Sequence, residues 1–478
     1  MSSRRDFLKL AATAAASCFL PDSISKAGTI FGSKMLKIDM AGGPAKPNII
    51  FLHADDLGYA DLGCMGSDLH QTPNIDGLKA DSLWFTNAYA THSTCAPSRL
   101  GIMTGKYPAR LGVINNGVNN QLTGQYTLAQ AMKEAGYITC HLGKWHIGNN
   151  SQRPELRGFD VSIGSNQKGM PASFFYPFGN SGGKKVPDMG QFPAGSHLTD
   201  CLTEKAVRYI REHKSETFFM NFCYYAVHTP IQALSEKVAK YKALITPGLR
   251  HDDAPYAGLT EHLDDSVGRI LSTLDEVGIA DNTIVVFFSD NGGTPRTDNY
   301  PMRDSKGMPY EGGTRVPMFV RWKGVTTAGD SCDVPVIGID IYPTFVSMAG
   351  GKINPRCGVL DGVSLTGVMK KTESKIDRSL HWLRYPVKTH YVHNTNPPWV
   401  SLPYGAMRKG NYKIIEKFYT GPDNKQAAGY ELYDLKNDLS ETTNLANSMP
   451  AKRDELIAEM RAWRKSVNAP VFDYHRYD

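Results

Sequence analysis

The sequence of 478 residues lacks the features that mark a nucleic-acid-binding protein or a membrane-embedded one. It has no dense run of lysine and arginine, and its net charge is only +6, from 53 basic and 47 acidic side chains. So small an excess does not argue for a nucleic-acid partner, and we expect none. Beyond the N-terminal apolar stretch, no segment is long and apolar enough to cross a bilayer. Function therefore has to be argued from particular residues.

The eight cysteines lack the spacing of a zinc ribbon or of a dithiol redox centre. They stand at positions 18, 64, 95, 140, 201, 223, 332 and 357, and none forms a C-x-x-C pair. Zinc ribbons and thioredoxin-type chemistry are therefore disfavoured. Export to an oxidising compartment would permit disulfides, but the spacing does not say which cysteines would pair.

Residues 1–28 are predicted to be a targeting segment. In SSRRDFLKLAATAAASCFL, the adjacent Arg4 and Arg5 precede an apolar run too short to span a bilayer. The arginine pair followed by Phe-Leu-Lys resembles a bacterial twin-arginine signal, which directs folded proteins to the twin-arginine translocase. We therefore expect an exported protein, either periplasmic or at the cell surface. Cys18 is a poor lipidation candidate because the residues before it fit such a site badly.

Three apolar runs end in polar residues, as buried parallel strands do. They are NIIFLHADD (48–56), TFFMNFCYYAVH (217–228) and NTIVVFFSDNGG (282–293). Helical patterns lie between them, for example at 127–136 and 259–278, and each closes on a glycine suited to a helix C-cap. This order predicts an α/β fold, and we expect a large mixed, mostly parallel sheet with helices on both faces.

The character of the chain changes near residue 375. Short strand patterns occupy 379–386, 405–418 and 429–438, and a charged amphipathic helix follows at 451–467. A chain of this length favours more than one domain. We therefore predict a catalytic domain over 46–372 and a smaller α+β subdomain with an antiparallel sheet over 373–478.

The predicted strand ends carry oxygen ligands for a metal. Asp55 and Asp56 end the first run, Asp290 and Asn291 end the third, and His228 ends the second. In open α/β sheets, ligands bind beyond the carboxyl ends of the strands. Three carboxylates and one amide oxygen suit Ca²⁺ or Mg²⁺ better than zinc. The alternative is that both pairs are strand-end turns, since SDNGG is a favourable turn sequence.

Cys95 stands in a setting that a structural cysteine would not need. In THSTCAPSRLGIMTG, Pro97 fixes the backbone, and Ser98 and Arg99 can begin a helix whose N–H groups favour an anion. Such surroundings lower a thiol pKa, as in nucleophilic cysteines. A soft thiolate, however, suits a hard oxygen-ligated metal poorly. The conflict disappears if position 95 carries oxygen when the protein is active.

Two segments resemble the signatures of the type I sulfatases. STCAPSRLGIMTG (93–105) is similar to the first signature, C-x-P-S-R followed by an apolar pair and T-G, and GYITCHLGKWHIG (136–148) is similar to the second. The resemblance continues in family order through ADDLGYADLGCMG, FFSDNGG, KGMPYEGGTRVPMFVRW and ELYDLKNDLSETTNLA. The chain thus resembles the formylglycine-dependent sulfatases of the alkaline phosphatase superfamily, especially N-acetylgalactosamine-6-sulfatase and arylsulfatase A-like members. The resemblance implies the alkaline phosphatase-like fold.

The resemblance also implies the metal and the nucleophile. Cys95 would be oxidised to formylglycine (3-oxoalanine) by a formylglycine-generating or anaerobic sulfatase-maturating enzyme. The hydrate of this aldehyde would attack sulfur and later release sulfate by collapsing back to the aldehyde. One calcium ion per chain would be bound by Asp55, Asp56, Asp290, Asn291 and the modified Cys95.

The remaining catalytic roles are also implied by the resemblance. Lys144 and His146 would grip sulfate and the hydrate, and Arg99 would hold the oxygen at position 95. Lys306 would bind oxygens of the sulfate and of the leaving group. His228 would be the general acid that protonates the departing alcohol.

The expected substrate is a sulfated glycan, because 383–399 combines aromatic residues with His, Lys and Arg, a composition that surface loops share. The segment 149–200, rich in glycine, proline and aromatic residues, is expected to shape the site. Small aryl or alkyl sulfates are one alternative. A formylglycine-dependent phosphonate or phosphodiester hydrolase is another, since it shares C-x-P-S-R. A two-zinc phosphatase would normally have serine or threonine at position 95. A glycan-binding homologue without activity is the non-enzymatic alternative.

Overall fold

The apolar runs of the sequence form the centre of an eight-stranded sheet. The computed structural model describes residues 46–117, 120–179, 186–385, 391–392, 399–400, 403–418 and 429–471, so the predicted signal lies outside the described residues. The strands are β1 (Asn48–Ala54), β2 (Leu83–Phe85), β3 (Ala88–Tyr89), β4 (Ile138–Gly143), β5 (Val161–Ile163), β6 (Phe218–Cys223), β7 (Thr283–Ser289), β8 (Met318–Arg321), β9 (Ser331–Cys332), β10 (Val336–Ile337), β11 (Ser379–Arg384), β12 (Tyr391–Val392), β13 (Trp399–Val400), β14 (Tyr404–Lys409), β15 (Tyr412–Lys417) and β16 (Gly429–Asp434). The helices are α1 (Pro73–Ala80), α2 (Cys95–Thr104), α3 (Leu128–Glu134), α4 (Leu198–Glu212), α5 (Ser235–Leu244), α6 (Ala254–Glu276), α7 (Glu311–Thr314), α8 (Ile341–Met348), α9 (Thr366–Met369) and α10 (Pro450–Ser466). Among the described helices, none has the length and apolarity needed to cross a membrane.

The main sheet is mixed and mostly parallel, as predicted. Its strand order is β5-β4-β6-β1-β7-β8-β2-β9. β1 pairs in parallel with both β6 and β7, whereas β8 runs antiparallel to β7 and β2. Because β6, β1 and β7 are parallel neighbours, the residues that follow them meet at one edge of the sheet.

Helices cover both faces of this sheet. Ile49 and Phe51 of β1 pack in one core with residues of α2, α3 and α8. Ile50 and Leu52 pack in a second core with residues of α1, α4 and α6. Every residue of β1 is buried, which explains why this strand has no alternation of apolar and polar residues. The predicted α/β architecture is confirmed.

Two element boundaries differ from the predicted ones. α6 begins at Ala254 rather than Leu259, because the Asp253 side chain accepts a hydrogen bond from the Tyr256 N–H at 3.0 Å and so caps the helix earlier. β6 ends at Cys223, so the expectation that its last residue is His228 is wrong. The chain instead bends across the end of β1, where the Asp55 N–H donates to the carbonyl of Ala226 at 3.0 Å.

The C-terminal part contains the predicted antiparallel sheet, with strand order β11-β14-β15-β16. One face of it packs against α10, and the other packs against residues that include Tyr89 and Ile337. The Trp382 indole N–H donates to the carbonyl of Ala90 at 2.9 Å. Residues 45–478 form one compact unit, and the domain boundary at residue 372 stays a prediction.

A buried ion cluster joins this sheet to the catalytic part. The Lys413 ammonium lies 2.9 Å from Glu311 Oε1 and 3.1 Å from Glu441 Oε1, and none of the three side chains is exposed. We expect Lys413→Met to lower the free energy of unfolding by about 3–5 kcal/mol, because Glu441 would stay buried without its cation and Glu311 would keep only its ion pair with Arg315. Chemical denaturation measures this change.

The partly exposed ion pair between Lys409 and Glu459 provides a matched control on the same sheet. Lys409→Met should leave the free energy of unfolding nearly unchanged, because water screens exposed pairs. Equal losses in the two variants would contradict the role assigned to burial.

Candidate active site

Carboxylates from two parallel strands meet at the edge of the sheet. Asp55 and Asp56 follow β1 directly, and Asp290 and Asn291 follow β7. The Asp56 N–H donates to Asp290 Oδ1 at 3.2 Å, and Asn291 Nδ2 donates to Asp56 Oδ1 at 2.9 Å. All four side chains are buried. The structure thus brings together the four oxygen-bearing residues that the strand-end argument selected.

Cys95 is the first residue of α2 and is buried beside this cluster. The Lys306 ammonium lies 3.6 Å from Cys95 Sγ. Burial raises the pKa of the Cys95 thiol, but the charges of Lys144 and Lys306 outweigh it, and hydrogen bonds from His146 and His228 add to their effect. The pKa of the thiol therefore lies well below its ordinary value. This position is built to stabilise negative charge.

Arg99 lies one turn further along α2 and contacts the carboxylates. Its Nε donates to Asp290 Oδ2 at 2.8 Å, and its Nη2 lies 3.8 Å from Asp55 Oδ1. Burial raises the pKa of Asp290, but the charges of Arg99 and Lys144 together outweigh burial and the pKa falls to about 2. The two cations therefore keep Asp290 ionised. The contact of Arg99 with an oxygen at position 95 stays a prediction.

Lys144 and His146 approach the site from the end of β4. The Lys144 ammonium donates to Asp55 Oδ2 at 2.6 Å, and neither side chain is exposed. Burial lowers the pKa of His146, although its hydrogen bond with Cys95 acts in the opposite direction. His146 has a backbone φ of 58°, in the left-handed region that costs a non-glycine residue roughly 1–3 kcal/mol. Such backbone strain is common at functional sites.

Lys306 and His228 face Asp56 from two other loops. The Lys306 ammonium donates to Asp56 Oδ1 at 2.5 Å, and His228 Nε2 lies 3.6 Å from Asp56 Oδ2. His228 Nδ1 is 2.9 Å from the carbonyl oxygen of Thr229, which can only accept, so Nδ1 carries a hydrogen. Nε2 is therefore the nitrogen that faces the site.

The cluster fits a hard divalent cation. Asp55 Oδ1 and Asn291 Oδ1 are buried without a hydrogen-bond partner. Burial raises the pKa of Asp55 well above its usual value, and Asp290 and Asp56 raise it further, while Lys144 opposes them. A divalent cation would relieve this repulsion and satisfy both oxygens. The residues that would hold calcium are Asp55, Asp56, Asp290 and Asn291, with position 95 beside them.

Comparison with known proteins decides the family. The sulfatase family model matches residues 47–351, and a model of the C-terminal region of N-sulphoglucosamine sulphohydrolase matches residues 302–467. The chain belongs to the sulfatase family. It is a type I sulfatase of the alkaline phosphatase superfamily and a sulfuric ester hydrolase, so the predicted family and enzyme class are confirmed.

Relatives of this sulfatase include carbohydrate sulfatases. A sulfatase of Formosa agariphila is 32% identical over 89% of this chain and 90% of its own. The N-acetylgalactosamine-6-sulfatase of Mus musculus is 32% identical over 72% of this chain and 70% of its own. The crystal structure of Ps i-CgsB has a TM-score of 0.75 and 30% identity, covering 88% of this chain and 93% of that one. A phosphonate monoester hydrolase of Agrobacterium radiobacter, with a TM-score of 0.60 and 19% identity, shares the fold alone.

The sequence argument missed residues that lie next to the sulfatase site. His53 lies in β1 directly behind the carboxylates, with Nδ1 3.5 Å from Cys223 Sγ and Nε2 buried without a partner. The only sequence feature that could have indicated this residue is a histidine inside an apolar run. The Tyr404 hydroxyl lies 2.6 Å from the Ser93 hydroxyl, so the C-terminal sheet supports the segment that leads to Cys95. No local sequence pattern predicts that contact.

Proposed function

We propose that this sulfatase releases sulfate from a sulfated carbohydrate, with a nucleophile made from Cys95. The observation that supports this most strongly is the convergence of cationic groups on position 95. Lys144 and Lys306 lower the pKa of the Cys95 thiol by their charge, and His146 and His228 lower it by hydrogen bonds. A sulfate ester spreads negative charge over several oxygens, so preorganised cationic donors stabilise the charge that develops in the transition state.

The charges of the site support an anionic substrate. Three carboxylates and three permanent cations converge here, namely Asp55, Asp56, Asp290, Arg99, Lys144 and Lys306. A bound calcium ion would supply a fixed positive charge beside position 95. The occupied site would then be net positive, which complements a sulfate monoester anion.

The nucleophile requires the modification that the family resemblance implies. A formylglycine at position 95 would supply, as its hydrate, an oxygen nucleophile in place of sulfur. Lys306, with its ammonium 3.6 Å from Cys95 Sγ, would stabilise the anionic form of that oxygen. His146 would hydrogen-bond at the same position and orient it.

His228 is placed to protonate the departing alcohol through Nε2. Burial lowers the pKa of His228, but the charges of Asp56 and Asp55 outweigh it, so the pKa is raised and the charged form that can donate from Nε2 is favoured. We expect His228→Gln to lower kcat on a sulfated sugar by about 10²–10⁴-fold. The loss on 4-nitrophenyl sulfate should be much smaller, because nitrophenolate leaves without a proton. Steady-state kinetics on both substrates measures the contrast.

His213→Gln is the control for this prediction, since His213 is partly exposed and lies in the loop after α4. It should leave both rates unchanged. Equal losses on the two substrates in His228→Gln would show that His228 is not the general acid.

The carbohydrate substrate is supported by relatives at 30% identity or more. One is named N-acetylgalactosamine-6-sulfatase, and a second structure of Ps i-CgsB is a complex with k-i-k-neocarrahexaose. The test compares kcat/KM for sulfate release from sulfated oligosaccharides and from 4-nitrophenyl sulfate with kcat/KM for hydrolysis of a phosphonate monoester. We expect the highest value for a sulfated sugar. A higher value for the aryl sulfate or the phosphonate ester would replace the proposal with one of those activities.

We also propose that the protein is exported by the twin-arginine translocase and that a maturation enzyme oxidises Cys95. Arg4 and Arg5 support the export route, although they lie outside the described residues. The double variant Arg4→Lys, Arg5→Lys should accumulate in the cytoplasm, as measured by cell fractionation and immunoblotting. Unchanged export of this variant would exclude the twin-arginine route.

A further inference from the structure

Three buried side chains outside the active site have the chemistry of a metal site. Asp61 lies in the loop after β1, His70 lies before α1, and His251 lies before α6. One potential ligand atom from each lies within 4.8 Å of those of the other two. None of the three side chains is more than 1% exposed.

Hydrogen bonds fix both imidazoles in the form that binds metals. His251 Nδ1 lies 2.7 Å from Asp68 Oδ1, and His70 Nδ1 lies 2.8 Å from the carbonyl oxygen of Asp61. Both partners are acceptors, so each Nδ1 carries a hydrogen and each Nε2 keeps its lone pair. A carboxylate or carbonyl behind the distal nitrogen is the usual arrangement behind a metal-bound histidine.

The His251 imidazole has a polar atom that nothing satisfies. Its Nε2 is buried without a hydrogen-bond partner and lies 3.8 Å from Asp61 Oδ1. That separation is too long for a hydrogen bond, and an unsatisfied buried nitrogen is unfavourable. Ligand atoms around a tetrahedral zinc ion lie about 3.3 Å apart, so a small rotation would bring His251 Nε2 and Asp61 Oδ1 to coordination distance. The His70 imidazole, whose Nδ1 lies 4.0 Å from Asp61 Oδ1, would have to turn its Nε2 toward them.

The Asp61 carboxylate is already held in place. Its Oδ2 accepts hydrogen bonds from the Gly58 N–H and the Tyr256 hydroxyl, both at 2.6 Å. Its Oδ1 accepts from the Thr297 hydroxyl, which leaves a lone pair available on the oxygen that faces His251. The carboxylate is therefore preorganised as a ligand.

We propose that Asp61, His70 and His251 form a zinc site separate from the calcium site. Two imidazole nitrogens and one carboxylate oxygen match zinc, with water in the fourth position, and suit calcium poorly. The side chain of Asp68, the partner of His251 Nδ1, is 26% exposed, so the site lies close to the protein surface.

The role of this site would be structural. The Tyr256 hydroxyl that donates to Asp61 also lies 3.4 Å from the carbonyl oxygen of Asp56. Zinc would therefore tie α6 to the loop that carries two of the calcium-binding carboxylates. It would stabilise the fold by binding the native state and not the unfolded chain.

The test is zinc binding by the full-length protein in excess calcium, measured by elemental analysis after gel filtration. We expect about one zinc per chain in the wild type and a raised Tm. His251→Gln should lose the zinc and the Tm shift, and His213→Gln should keep both. Asp68→Asn should weaken zinc affinity about 10–100-fold, because it removes the partner of His251 Nδ1. Wild-type protein without zinc, or His251→Gln with as much zinc as the wild type, would overturn the proposal.

A measurement on the wild type alone covers the case in which the variants do not fold. Cobalt(II) added in place of zinc should give the visible absorption of a four-coordinate site with nitrogen and oxygen ligands. A sulfur-to-cobalt charge-transfer band as the main signal would show that the ion is bound by a cysteine and would contradict the assignment. The absence of any four-coordinate spectrum would contradict it as well.

Discussion

Cys95→Ala is expected to lower kcat for sulfate release by about 10⁴-fold or more, because it removes the atom from which the nucleophile is made. The fold should be retained, since the side chain is small and lies at the first residue of α2. Kinetics on 4-nitrophenyl sulfate and on a sulfated sugar, with circular dichroism and Tm, measures both effects.

Cys140→Ala is the matched control for this prediction. Cys140 is a fully buried thiol in β4, and burial raises its pKa, whereas the pKa of Cys95 is lowered by the surrounding cations. The Cys140 variant should keep its turnover. Activity that survives in Cys95→Ala would show that another residue is the nucleophile.

Asp290→Ala is expected to lose calcium and activity together. It removes an oxygen ligand and leaves the Arg99 guanidinium, which contacts Asp290 at 2.8 Å, without that partner. We expect calcium affinity to fall at least about 100-fold and turnover to fall with it. Calcium content of the purified variant and kcat over a calcium titration measure the two losses.

Asp340→Ala separates loss of metal from loss of a buried ion pair. Asp340 is a buried carboxylate that accepts from Arg378 Nη1 at 2.6 Å, outside the calcium cluster. This variant should be destabilised because Arg378 loses its partner, yet it should keep calcium. Full calcium occupancy in Asp290→Ala would instead point to other ligands.

The sheet and the carboxylate cluster were predictable because both depend on local patterns. A continuous apolar strand that ends in Asp55 and Asp56 places them at the carboxyl edge, and β7 does the same for Asp290 and Asn291. Parallel pairing then makes them neighbours. The fold class therefore followed from the order of strands and helices.

Other features depend on contacts between distant segments and have no local signal. The bend after Cys223 follows from hydrogen bonds to the end of β1, so the strand pattern alone predicted the end of β6 too late in the chain. The contact of Tyr404 with Ser93 joins two parts of the chain that are far apart in the sequence. The same is true of His70 and His251, which stand in unrelated segments and meet only in the folded chain.

The central claim is that position 95 carries an oxidised cysteine, and a mass spectrum of the tryptic peptide from Ala80 to Arg99 tests it most directly. The protein should come from its own host, where the maturation enzyme is present. The account predicts a peptide in which sulfur is replaced by oxygen and two hydrogens are lost. An intact thiol at Cys95 in protein that releases sulfate would contradict it.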